Sequence, residues 1–353
     1  MNKLCSLKNL QKLIYPGHRS LGTTNAKLQS VDEPKVDETP ANVIEFEEFQ
    51  LDLTYGQITG RWWGSKKKRP ILMCHGWQDC EGSFATLIPL LPPEFSYLAI
   101  DWPGHGFSSH LPPGCYYHTV DFIVILEEIR IKMKWERISL IGHSMGAIVS
   151  FYYGAILPEN VDLIVALDTL KPQNYPPHTT EKLYTFRATQ LINLMGKLKE
   201  HAPEYTYDEL GQRVLDGSYQ SVDIDKAKYM FSHGIKPSKN NPNKFYFTRD
   251  VRVKYMQPFY IAQSVAAEYI KRIQAAYLFI KSDDRIFREP EKNILESIEL
   301  FKRYNKNFDM LKIPGTHHVH LNQPELMAEK IGTFLHKHYI FEEQKCIELK
   351  CKL

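Results

Sequence analysis

The sequence predicts an α/β fold, a mostly parallel central sheet flanked by helices, with a helical cap inserted late in the chain. Three observations lead there. Short apolar runs at 70–74, 95–100, 138–141 and 163–167 alternate with helix-like stretches, as strands do when each returns to the sheet through a helix. One junction, Gly142-His143-Ser144-Met145-Gly146, joins an apolar run directly to a helix-like stretch at 147–157. Finally, the alternation stops after about residue 170 and resumes only at 277–280, so about a hundred residues are set apart from the sheet.

Taken in order, residues 1–40 read as a basic leader, polar and Pro-containing toward its end. Residues 45–53 and 57–63 read as a hairpin closed near Tyr55-Gly56, and Lys66-Lys67-Lys68-Arg69 as a solvated turn. The strand at 70–74 runs into His75-Gly76-Trp77. A helix is expected at 84–91, and the strand at 95–100 ends in Asp101-Trp102-Pro103-Gly104-His105-Gly106, a loop full of helix breakers. Phe122, Ile125, Leu126, Ile129 and Met133 recur on one helical face. Pro158 stops the helix at 147–157. Helix-like stretches at 181–200, 207–217, 223–232 and 256–272 would build the cap, and strands at 277–280 and 308–313 complete the sheet. The expected division is 41–170 plus 273–340 for the core, 171–272 for the cap and 341–353 for a tail.

Composition narrows the function. With 353 residues and 43% hydrophobic content, the chain can bury one large core plus an insertion. Its net charge of +3 gives no footprint for nucleic acid. Six cysteines in a chain this long are too sparse for a disulfide framework. Fourteen histidines raise a metal, but no His-x-x-x-His on a helix and no Cys-x-x-Cys is present, so neither a metal nor another cofactor is expected. No apolar run reaches the length of a membrane span.

The chemistry is read from four places. A serine between strand and helix with glycines two residues either side is a nucleophile elbow: the turn is so tight that only Gly142 and Gly146 avoid a clash, and it aims the Ser144 hydroxyl out of the sheet. The backbone N–H groups of Trp77 and of Met145 would form an oxyanion hole. The strand at 277–280 leads to Lys281-Ser282-Asp283-Asp284, where Asp284 is the expected acid ahead of Asp283; Asp168, at the end of an earlier strand, is the third candidate and otherwise a turn aspartate. The strand at 308–313 leads to Gly315-Thr316-His317-His318-Val319-His320, and His317, two residues past the glycine, is the expected base. His318 and His320 are read as packing or hydrogen-bonding locally, and His143 and His75 as structural rather than acid/base. The order Ser, Asp, His is that of the α/β-hydrolases.

On these residues the chain resembles the serine hydrolase-like proteins, the group that includes insect kraken, within the α/β-hydrolase superfamily. The likeness spans about residues 44–340. It includes His75-Gly76-Trp77-Gln78-Asp79, Phe247-Thr248-Arg249-Asp250-Val251-Arg252 and His317-His318-Val319-His320-Leu321-Asn322. It implies Ser144 as nucleophile, His317 as base and Asp284 as the orienting acid, with one departure: Lys281-Ser282 stands where Gly-x is commoner. The implied activity is hydrolysis of a carboxylic ester or thioester of a small-to-medium apolar molecule through an acyl-enzyme. Carbon–carbon bond hydrolysis and weakly catalytic ligand binding are the alternatives. The terminal Cys351-Lys352-Leu353 resembles a peroxisomal address for an import receptor, while the basic, acid-free start resembles a mitochondrial presequence. Peroxisome is the expected location, mitochondrion or cytoplasm the alternative.

Overall fold

A computed structural model of the chain describes residues 45–195, 202–256, 260–283 and 289–341. The leader and the Cys351-Lys352-Leu353 terminus lie outside these residues, as does Asp284.

Strands β1 (Phe46–Leu53), β2 (Gly56–Trp63), β3 (Ile71–Cys74), β4 (Tyr97–Asp101), β5 (Ile138–His143), β6 (Val161–Leu167), β9 (Ala276–Ser282) and β10 (Phe308–Ile313) form one sheet in the order β1-β2-β4-β3-β5-β6-β9-β10. The β1-β2 hairpin pairs antiparallel from Phe46↔Trp63 to Leu53↔Gly56, and β2 meets β4 antiparallel; every later pair is parallel. Strands β3, β4, β5 and β6 are buried along their whole length because both faces are covered. The pleat sends Leu72, Cys74 and Leu140 to one face, where helices α1 (Asp121–Lys132), α2 (Met145–Ile156), α5 (Gln263–Arg272) and α6 (Glu291–Tyr304) supply Phe122, Phe151, Ile270 and Phe301. Ile71, Met73 and Ile141 go to the other face, against Phe84 and Leu87 and against Ile331, Phe334 and Leu335 of helix α8 (Glu325–His338).

Two expectations change. Residues 84–91 are not a helix but two short 3₁₀ turns, Glu81–Phe84 and Ile88–Leu90; Pro89, Pro92 and Pro93 deny a longer helix its backbone donors. And Arg69 is no solvated turn residue. Its side chain is buried, paired with Asp162 at 2.6 Å and donating to Ser139 Oγ at 2.9 Å, so it pins the starts of β5 and β6 together.

Between β6 and β9 the chain leaves the sheet. It forms α3 (Pro177–Met195), then α4 (Tyr207–Gly217), opened by a Thr206/Glu209 capping box, and a hairpin of β7 (Ile235–Pro237) and β8 (Phe245–Phe247). This insertion docks on the loops at the carboxyl ends of the core strands. Asp250 N donates to Gly104 O at 2.8 Å, and the Trp77 indole donates to Val253 O at 2.6 Å.

His233 makes a buried charged contact across that junction. Its Nδ1 donates to Asp101 Oδ2 at 2.6 Å and its Nε2 to Glu48 Oε2 at 2.9 Å, with Glu81 Oε1 at 3.7 Å. Burial works against the imidazolium, but the Asp101 bond and the three surrounding carboxylates outweigh it and raise the His233 pKa. Burial first, and Asp101 second, push Glu81 up to about 7. Both groups hold protons more tightly folded than unfolded. Their contribution is therefore complete below the unfolded values and is lost as pH rises, from about 4.5 to about 7 for Glu81 and above about 6.5 for His233. Asp101 is held low, so its contribution is lost only in acid. The melting temperature is expected to fall as pH rises from 6 to 8, and His233→Gln to flatten that slope; a flat wild-type profile would show the cluster does not titrate.

Candidate active site

The elbow forms as the sterics require. Ser144 sits between β5 and α2 at φ 51°, ψ −109°, and its N–H donates to Leu167 O at 3.1 Å. A Cβ on Gly142 would lie 2.5 Å from the Gly146 carbonyl carbon, and one on Gly146 only 2.0 Å from Cys74 O. Nothing but hydrogen fits at either place, because the strand, the turn and β3 touch backbone to backbone there.

His317 lies in the loop between β10 and the short helix α7 (Val319–Asn322). Its Nε2 is 2.9 Å from Ser144 Oγ, and its Nδ1 is 2.6 Å from Asp168 Oδ2. Asp168 is the residue after β6, at φ 56°, a left-handed conformation that aspartate tolerates better than most residues. Its N–H donates to Ile280 O at 2.8 Å. The other carboxylate oxygen, Oδ1, accepts from Lys281 Nζ (2.6 Å), Ser282 Oγ (2.7 Å) and Ser282 N (2.9 Å). Burial pushes the Asp168 carboxyl up, but the bond and charge of His317, followed by Lys281, outweigh it and hold the pKa below the usual carboxylate range. The group is thus an anion with both oxygens committed.

A polar floor fixes His317 from behind. His143 Nε2 donates to His317 O at 2.9 Å, and since a carbonyl only accepts, the proton is on Nε2. Burial holds His143 down to about 4, so it is neutral. His318 bonds Ser221 Oγ at 2.6 Å; His320, buried and pushed well below the ordinary histidine range by burial, packs on His143 with ring centroids 4.0 Å apart. His75 Nε2 accepts from Trp102 N at 3.1 Å and braces the loop after β4. His143 and His75 thus brace the site, while His318 reaches not a local partner but Ser221 of the insertion, 97 positions away. Asp79 lies 3.4 Å from His143 Nδ1 and 3.5 Å from His318 Nε2. These three are the group, among the described residues, whose ligand atoms come close enough (within 4.8 Å) to converge on an ion. They come from the loop after β3, the end of β5 and the loop after β10, so no spacing motif reveals them.

Above the serine, Gln78 at φ 64° and a Gly76–Asp79 turn present Trp77 to the cleft, and Met145 opens α2 with an N–H that has no partner within its helix. Two cavities meet at Ser144, with Trp77 and Tyr219 on the wall of both. One is lined by Met145, Ile148, Leu183 and Met256, with Arg187, which donates to Met256 O, also on its wall. The other holds His317 together with Arg213 and Arg249 of the insertion. Tyr219 and its neighbour Gln220 both have left-handed backbone, at φ 57° and 61°. Strain in two successive non-glycine residues is held where the insertion faces the serine.

The family described by the α/β-hydrolase fold matches residues 69–324. A probable serine hydrolase of Drosophila melanogaster is 34% identical over 299 residues, covering 82% of this chain and 88% of that protein. The chain belongs to the α/β-hydrolase fold family, among the serine hydrolase-like proteins. A serine hydrolase-like protein of Danio rerio is 31% identical over 298 residues, covering 82% of this chain and 88% of its own. Among solved structures, a hypothetical protein of Pseudomonas aeruginosa superposes with a TM-score of 0.69 at 23% identity, covering 82% and 98% of the two chains. A thioesterase domain from the curacin biosynthetic pathway gives 0.67 at 18%, covering 82% and 99%. At these identities the structural likeness speaks for the fold alone.

In this α/β hydrolase the acid beside the base is not the one expected. The sequence favoured Asp284, which lies outside the described residues, then Asp283. Asp283 points to solvent, its side chain 58% exposed, with Lys312 at 3.6 Å. Asp168, the third candidate, is the carboxylate that His317 Nδ1 bonds. The physical reason is the end of the sheet. β6 and β9 run side by side with Leu167 opposite Ile280, so both following loops start level with His317 and either can reach it. Lys281 and Ser282 turn inward to hold Asp168. The departure from Gly-x at those two positions was the legible signal, since a lysine and a serine supply donors for a neighbouring carboxylate.

Proposed function

We propose that this protein is a serine hydrolase acting through an acyl-enzyme on a carboxylic ester or thioester. The observation that carries the reading is the unbroken hydrogen-bonded line from Ser144 Oγ through His317 to Asp168. Asp168 accepts from Nδ1–H and so leaves the lone pair of His317 on Nε2, facing the serine. As Ser144 Oγ attacks the carbonyl, its proton passes to His317 Nε2, and the imidazolium is stabilised by the Asp168 anion. Trp77 and Met145 N–H groups then hold the oxyanion. His317 returns the proton to the leaving oxygen or sulfur. A water, deprotonated by the same nitrogen, next releases the acid and restores Ser144. The cavity beside Met145, Ile148 and Leu183 suits an alkyl or aryl group.

Labelling with a fluorophosphonate probe tests the nucleophile. Wild type should label stoichiometrically and Ser144→Ala not at all. Folded wild type that stays unlabelled, and that hydrolyses no ester in a broad panel, would retire the reading in favour of ligand binding.

A further inference from the structure

The second cavity at Ser144 sets two arginines against one carboxylate, Asp79. Arg213, on α4, and Arg249, just after β8, line it together with Ser144 and His317. Each guanidinium lies on an aromatic face: Arg249 Cζ is 4.0 Å from the centre of Phe247 and Arg213 Cζ 3.9 Å from that of Tyr205. Such stacking occupies the flat face of the group and leaves its N–H edge available. Neither arginine forms an ion pair with a carboxylate among the described residues. Two acids feel them, Asp79 on the wall of the same cavity and exposed Glu209, and neither comes within ion-pair distance of an arginine. Asp79 faces His143 and His318, and Glu209 accepts from Thr206 in the capping box. Lys254 adds a third positive charge near both arginines: burial, then Arg249 and Arg213, hold its pKa below the usual lysine value. Burial brings Arg249 down to about 10, which still leaves it charged at neutral pH.

Arg213 is exposed, but Arg249 is half-buried; a half-buried guanidinium with no carboxylate at ion-pair distance is costly, and it persists where a ligand supplies an anion. We infer that this cavity binds an anionic substrate, an ester or thioester bearing a carboxylate or phosphate group held by Arg249 and Arg213 while its apolar part occupies the other cavity and its carbonyl lies at Ser144. The substrate is amphipathic rather than wholly apolar. This rests on the serine hydrolase reading and extends it to a substrate class.

Paired probes test it, each pair differing only in charge. One pair is a p-nitrophenyl ester of an ω-carboxy acid beside its ω-methyl ester. The other is an acyl-4′-phosphopantetheine thioester beside the acyl-pantetheine thioester of the same acid. On at least one pair, wild type should favour the anionic member in kcat/KM by about 10- to 100-fold, the worth of a charge-assisted hydrogen bond. The first pair reports a carboxylate on the acyl side, the second a phosphate on the leaving group. Arg249→Gln and Arg213→Gln should each shrink the ratio, and the double variant should abolish it. High salt should shrink it in wild type, which reads the same property should the variants fail to fold. No preference on either pair, or a preference that survives the double variant, overturns the inference. Calorimetric binding of the same anions to Ser144→Ala, with and without Arg249→Gln, reads the site without turnover. Anion binding lost with Arg249 supports the site even if the serine proves unreactive; a labelled serine with no anion binding sinks the site and leaves the hydrolase reading standing.

Discussion

Ser144→Ala is expected to lower kcat/KM for a hydrolysed ester by about 10⁶-fold, and His317→Ala by about as much, with the double variant no worse than either. The two residues form one device. Without the His317 Nε2 acceptor at 2.9 Å, the Ser144 hydroxyl is a poor nucleophile; without the hydroxyl, the base has nothing to activate. The losses therefore do not add. A residual rate of about 10³- to 10⁴-fold over water should survive in all three, since Trp77 and Met145 N–H groups would still polarise a bound carbonyl. Neither substitution creates a strained backbone: alanine at 144 keeps the φ 51° turn, which the two glycines and the Ser144 N–H to Leu167 O bond define. Steady-state kinetics on the three variants checks this. Additive losses would mean that Ser144 and His317 act separately, and the relay would not be the catalytic unit.

What the sequence made legible was what local sterics and chain order dictate. Gly142 is forced by backbone contact with Gly146 inside the turn itself, so the elbow was readable locally, whereas the contact of Gly146 with Cys74 belongs to the tertiary fold. His317 followed from its place after the last strand. The burial of Arg69 was not readable, because its partner Asp162 sits 93 positions away and is brought close only by β3, β5 and β6 lying side by side. The converging Asp79, His143 and His318 are hidden for the same reason. Arg213 and Arg249, which line the second cavity, stand in a segment with no strand–helix rhythm, where sequence does not give which residues meet the serine. Membership of the serine hydrolase-like group likewise implies the nucleophile and base but not the donors, Lys281 and Ser282, that this chain aims at Asp168.

The choice of acid is where local reading and tertiary geometry part, and it carries the second large effect. Asp168→Asn is expected to lower kcat by about 10⁴-fold with little change in KM, while Asp283→Asn stays close to wild type. The carboxylate does two things an amide cannot. It accepts from His317 Nδ1–H, which fixes the tautomer with the lone pair toward Ser144, and it stabilises the imidazolium formed in the transition state. An asparagine there can turn its NH₂ toward Nδ1, hold the proton on Nε2, and so leave the base unable to take one from the serine. Asp168→Asn also removes the anion that Lys281 and Ser282 hold, leaving the lysine without that partner beside the triad, so a modest loss of melting temperature should accompany the kinetic defect. Asp283, exposed and paired only at 3.6 Å with exposed Lys312, offers neither service. Asp284→Asn completes the comparison. If it alone lost activity by that factor while Asp168→Asn remained active, the orienting carboxylate would be the one expected after β9, and Asp168 would be reduced to a turn aspartate that meets the histidine without serving it.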